Sequence, residues 1–148
     1  MEMTGEQVIP VSQQATWDAL NDLEVLKACI PGCESLVASA DNQFDVVLTA
    51  KVGPVSAKFK GKLTLADLDP PNGYNIAFEG QGGVAGFAKG GAEVRLLPDA
   101  SGTKLSYAAK ANVGGKLAQI GSRLIDGTAR KLADQFFTSF KKHVSSAG

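Results

Sequence analysis

The chain has 148 residues, of which 44% are hydrophobic and 20% charged, and its fifteen basic side chains balance fifteen acidic ones. That length suits one domain spanning 1–148 with a substantial core, and the balance excludes the global field that would hold nucleic acid. No basic start leads into an apolar run at "MEMTGEQVIPVS", and no stretch reaches the ~18 apolar residues of a membrane span, so the expected location is the cytoplasm, where thiols stay reduced.

Glu2 to Pro10 reads as an edge strand that Pro10 ends. Ser12 suits a helix N-cap, and Trp17 and Leu20 then fall at helical spacing. A second short helix begins after Asp22 and places Val25, Leu26, Cys29 and Ile30 on one face. It must stop at Ile30, because Pro31 disfavours helical geometry before it and Gly32 permits a tight turn. The stretch "ACIPGCE" therefore reads as a corner. Its two cysteines, Cys29 and Cys33, lack the partners of a structural zinc site and the spacing of a C-x-x-C redox pair.

From Leu36 to Val113 the polarity alternates with the period of a strand. "FDVVLTAKV" sets Phe44, Val46, Leu48, Ala50 and Val52 on one face. "VSAKFKGKLTL" does the same with Val55, Ala57, Phe59, Gly61, Leu63 and Leu65. Turns are expected at Gly53-Pro54, "DPPNG", "GQGG" and "PDASG". Between them Tyr74, Ile76, Phe78 and Gly80, then Ala92, Val94 and Leu96, then Leu105 to Val113 alternate inward. The glycine-rich "GGVAGFAKGGAEVRL" leads into a strand, so it offers no helix N-terminus to a phosphate.

Leu117, Ile120, Leu124, Thr128, Leu132, Phe136, Phe140 and Val144 return at helical spacing and predict one long amphipathic helix. The order is strand, two short helices, strands, long helix: an α+β arrangement with a strongly curved antiparallel sheet wrapped around the last helix. Lys116, Arg123 and Arg130 form a loose basic stripe on that helix, which suits a solvated face or contact with an acidic partner or a membrane surface. His143, the only histidine, lies near the helix C-terminus, where a cation is favoured by the dipole.

Many inward positions are small: Ala50, Ala57, Gly61, Gly80, Ala92, Ala109 and Ala111, with Gly121 facing them. Either helix and sheet approach closely, or an apolar cavity of a few hundred Å³ lies between them. The absence of inward charges favours a dry cavity for an apolar ligand. No catalytic or metal motif is present, and Tyr107 is the one inward polar side chain that could reach a ligand.

"VSQQATWDALNDLEVLKACIPGCESL", "VGPVSAKFKGKLTL" and "GGKLAQIGSRLIDGTARKLADQFFTSF" together resemble the G-subunit family of carbon monoxide dehydrogenase, over nearly the whole chain. That family lies within the helix-grip superfamily of START and pollen-allergen-like domains. The resemblance implies a seven-stranded antiparallel sheet gripping a long C-terminal helix, with two short helices after the first strand. It also implies a hydrophobic cavity, a quinone or lipid ligand, and a non-catalytic accessory role beside a molybdenum hydroxylase. Many members continue past the helix into a membrane-attaching tail, whereas this chain ends in "HVSSAG", which speaks against a tether by that route. Peripheral membrane contact stays open, and no cofactor or metal is expected.

The expected ligand walls are Trp17, Leu26 and Ile30 from the short helices. Leu48, Phe59, Gly61, Leu63, Ile76, Phe78, Phe87, Val94, Tyr107 and Ala109 come from the sheet, and Ile120, Gly121 and Leu124 from the long helix. The rival expectations are a surface-acting assembly adaptor for the molybdoenzyme and a cyclase- or hydrolase-like enzyme that would need a polar cluster near Tyr107.

Overall fold

A strand whose side chains alternate in polarity can bury one face and wet the other. In the computed structural model, which describes residues 1–147, each alternating run is a strand. These are β1 (Glu2–Ile9), β2 (Cys33–Ala40), β3 (Gln43–Val52), β4 (Val55–Asp69), β5 (Gly73–Gln81), β6 (Phe87–Asp99) and β7 (Gly102–Gly114). They form one seven-stranded sheet in the order β1-β7-β6-β5-β4-β3-β2, antiparallel throughout. β1 and β2 therefore occupy opposite edges, and α1 (Gln13–Leu20) and α2 (Leu23–Cys29) carry the chain between them.

Both short helices begin on side-chain caps. The Ser12 hydroxyl accepts from the Ala15 amide at 3.2 Å, and the Asp22 carboxylate accepts from the Glu24 amide at 2.9 Å. The corner that follows α2 depends on backbone shape. Ile30 is extended, as a residue before proline prefers, and Gly32 has φ +72°. A Cβ on Gly32 would overlap the carbonyl oxygen of Thr49, whose own amide donates to the Gly32 carbonyl at 3.0 Å. Cys33 then opens β2 opposite Leu48, and both cysteines are free.

The unbroken final helix expected from periodicity is corrected. A short α3 (Lys116–Gln119) is separated from α4 (Ser122–Ala147) by Gly121, whose φ of +96° no helix contains. The apolar phase survives the break: Leu117 is buried before it, and Ile125, Thr128 and Leu132 are half-buried after it. α4 itself has 26 residues, a rod of roughly 39 Å at ~1.5 Å per residue.

Its C-terminal half is tightly packed. Phe137, Phe140 and Val144 join Trp17, Leu20, Val25 and Cys29 from the short helices, and Ile9, Tyr74, Val94, Leu96 and Leu105 from the sheet, in one core. Phe140 and Leu96 are 0% exposed. Trp17 meets Tyr74 edge-on with ring centroids 5.4 Å apart.

Candidate functional site

The other half of α4 covers a different surface. Strand register aligns three neighbouring rows on the inner face of the sheet. One runs Ala109–Ala92–Ile76–Leu65, the next Ala111–Gly90–Phe78–Leu63–Phe44, and the third Val113–Ala88–Gly80–Gly61–Val46. Every member is uncharged and only half-buried, as are Ile125, Thr128, Ala129 and Leu132 on the stripe of α4 that continues from the core. The inner face is thus sealed beneath Phe137 and Phe140 and open to solvent beneath the first half of the helix. Glycine and alanine take half of these row positions, so the sheet offers less side-chain volume here than at the packed end.

Smallness has two causes here. A Cβ on Gly61 would overlap the Glu79 carbonyl, and one on Gly90 the Lys110 carbonyl, so both are glycines because neighbouring backbone lies too close. At Gly80 such a Cβ would lie 3.9 and 4.0 Å from its nearest neighbours, an ordinary contact distance, so backbone overlap does not require glycine there. Close approach therefore accounts for Gly61 and Gly90 but not for Gly80.

The expected wall residues divide accordingly. Leu48, Phe59, Gly61, Leu63, Ile76, Phe78 and Ala109 lie on the inner face and are half-buried. Leu26 and Ile30 are half-buried on and just after α2. Trp17 and Val94 lie in the packed core cluster with Phe137 and Phe140. Phe87 is corrected to the opposite face. It has the parity of Lys89, Glu93 and Arg95 on the outer face, is 48% exposed, and lays its ring where a Gly114 side chain would be. Ile120 is half-buried, whereas Gly121 and Leu124 are exposed at the end of the molecule. Ala88, Val113, Val46 and Ile125 belong to the same surface but are absent from the expected walls, although alternation already sets Val46 and Val113 inward. Register, which requires strand pairing to be known, is what groups Ala88, Val113 and Val46 in one row.

Tyr107 sits at the border between the filled and open ends. Its ring stacks on Phe137 with centroids 5.5 Å apart and occupies the space left by Gly5 on the paired strand β1. Burial holds its phenol above the usual range; Asp134 adds to this, and Arg130 opposes it. Burial likewise pushes the Cys29 thiol up, which disfavours the thiolate. A shallow groove of about 980 Å³ runs between the corner at Ile30–Gly32 and the polar side of α4 at Arg130, Lys131 and Asp134.

The family model of CoxG, the G subunit of carbon monoxide dehydrogenase, matches residues 5–145. The chain belongs to the CoxG family. No curated protein matches it in sequence. Among solved structures, it is similar to a conserved protein from Geobacillus kaustophilus, at 29% identity over 99% of this chain and 97% of that one, with a TM-score of 0.94. The ZhuI aromatase/cyclase from Streptomyces sp. R1128 shares the fold at 12% identity, covering 98% of this chain and 93% of that one, with a TM-score of 0.69. Ara h 8.0201 does so at 16% identity, 99% and 98% coverage, and a TM-score of 0.65. The CoxG-family chain therefore has the helix-grip fold, a curved seven-stranded antiparallel sheet closed by a C-terminal helix.

Proposed function

We propose that this CoxG-family protein carries an apolar small molecule, an isoprenoid quinone or a lipid chain, between the sheet and the first half of α4. It would do so as a non-catalytic accessory of a carbon monoxide dehydrogenase-type molybdenum hydroxylase. One observation carries the reading: the inner rows from Ala109 to Val46 are uncharged, half of them glycine or alanine, and only half-buried beneath an apolar helix face. Uncompensated apolar surface of this kind gains about 0.8 kcal/mol for each methylene it takes from water. Tyr107, whose raised phenol stays neutral, is the candidate donor to a ligand carbonyl.

The test is organic extraction and native mass spectrometry of protein purified from its own cells, followed by titration with a decyl-chain quinone analogue. Bound lipid or quinone and saturable analogue binding are expected. Extraction of nothing, together with no analogue binding, would sink the reading. Co-purification of a molybdoenzyme that survives Ala109→Leu would instead favour a surface-acting adaptor.

A further inference from the structure

Two thiols and three cations line the groove beside α4. α2 ends at Cys29, and the corner after it turns the chain so that Cys33 opens β2 opposite Leu48, with the parity of the sheet's inner face. Cys29 and Cys33 share the groove with Lys27 from α2 and with Arg130, Lys131 and Asp134 from α4. The two thiols differ in access. Cys29 is 3% exposed and packs in the core. Cys33 is half-buried, and its thiol donates to the Ser35 carbonyl at 3.5 Å.

Lys27, Arg130 and Lys131 are exposed, and none pairs with a carboxylate among the described residues. Glu34, next to Cys33 in the chain, is engaged elsewhere. Its carboxylate accepts from the Thr49 hydroxyl at 2.7 Å and lies 3.4 Å from the Lys58 ammonium. Three cations against the single carboxylate of Asp134 leave the groove lining positive. Reactive cysteines occur in electropositive, partly exposed surroundings of this kind, whereas buried structural ones are inert. Cations without an anion of their own also raise the local concentration of a reagent that bears carboxylates.

We propose that Cys33 is a site of reversible S-thiolation by a small disulfide bearing carboxylates, of which oxidised glutathione is the type. The Cys33 thiol gives its proton to water, and its sulfur attacks one sulfur of the reagent. A bond forms between those two sulfurs as the reagent's own S–S bond breaks, and the other half departs as a thiolate that takes up a proton. Cys33 is thereby oxidised and the departing half reduced, so no further oxidant is needed. An excess of the same small thiol runs the exchange backward and frees Cys33. Lys27, Arg130 and Lys131 hold the carboxylates of the adduct. Cys29 does not compete, because burial both hides its sulfur and favours its protonated form. This chemistry is independent of the apolar ligand proposed above.

The experiment is incubation of the reduced protein with oxidised glutathione and, separately, with uncharged hydroxyethyl disulfide, read by intact mass and peptide mapping. A single glutathione adduct is expected on Cys33, removed by dithiothreitol, kept in Cys29→Ala and lost in Cys33→Ser. Lys27→Glu with Arg130→Glu and Lys131→Glu changes exposed positions only. It should slow the reaction with oxidised glutathione at least roughly tenfold, the low end of electrostatic steering. Glutamine at the same three positions should give an intermediate rate, and high salt should slow the parent. Hydroxyethyl disulfide offers the cations no charge to attract, so its rates with parent and variants should agree within about twofold. An adduct on Cys29, no adduct, an unchanged glutathione rate after charge reversal, or an equal slowing of the uncharged reagent overturns the proposal.

Discussion

At Gly61 and Gly80 the same residue type on paired strands does different work. Gly61→Ala drives a Cβ into the Glu79 carbonyl, so the strands must separate. A loss of about 1–3 kcal/mol in chemical denaturation is expected, the usual cost of overpacking. Gly80→Leu meets no such backbone overlap and should change stability by less than about 1 kcal/mol while weakening quinone-analogue binding at least tenfold, a change of ~1.4 kcal/mol. If Gly80→Leu left binding untouched, the open end would not be the ligand site. Sequence alternation identified both glycines as inward but could not separate them, because a neighbouring strand's carbonyl is invisible in one dimension. Phe87 was misplaced although Ala92, Val94 and Leu96, inward on the same strand, already set its parity outward. Tyr74 offers a pH test. Burial raises its phenol above the ordinary 10.0, so the folded state holds that proton more tightly than the unfolded chain. Its contribution is intact below pH 10 and is lost as pH rises toward the folded value. Denaturation midpoints should fall above pH 10 in the parent and fall less in Tyr74→Phe; equal slopes would contradict this.

Among the elements, the two-part terminal helix shows what periodicity cannot see. Apolar residues at helical spacing continue from Leu117 to Val144 across Gly121, because the break at φ +96° rotates the chain without moving the apolar stripe off the sheet. A Cβ added at Gly121 or at Gly127 would meet nothing within 4 Å, so packing is equal at the two sites and backbone alone decides. Gly121→Ala places a Cβ in the left-handed region and should cost about 1–2 kcal/mol. Gly127 lies inside α4, where alanine is favoured by up to about 1 kcal/mol. Gly127→Ala should therefore raise the melting temperature by a few degrees. Thermal melts of the two variants must move in opposite directions; a shared direction would mean that the α3–α4 junction is not held as described. The corner at Ile30–Cys33, by contrast, was readable from Pro31 and Gly32 alone, since both act through local backbone shape.

Across the whole molecule, packing is graded from one end of α4 to the other. Aromatic and branched side chains from every layer meet at Phe137, Phe140 and Val144, whereas the inner rows from Ala109 to Val46 and Ile125 to Leu132 on α4 include no fully buried apolar side chain. Composition could not reveal this gradient: a neutral total of fifteen cations and fifteen anions says nothing of where either gathers. Stability should follow the gradient, because local opening is cheapest where few apolar contacts must break. In hydrogen exchange, amides around Leu96, Leu105 and Phe140 should exchange only through global unfolding. Those of Lys116–Gln119 and of the first turns of α4 should exchange several orders of magnitude faster. Saturation with an apolar ligand should then slow the open end selectively, by about a hundredfold at a hundred times its Kd, and leave the packed end tied to global stability. Uniform protection along α4 without ligand, or ligand protection centred on Phe140, would show that the two ends are not distinct and would remove the physical basis for a cavity at the first.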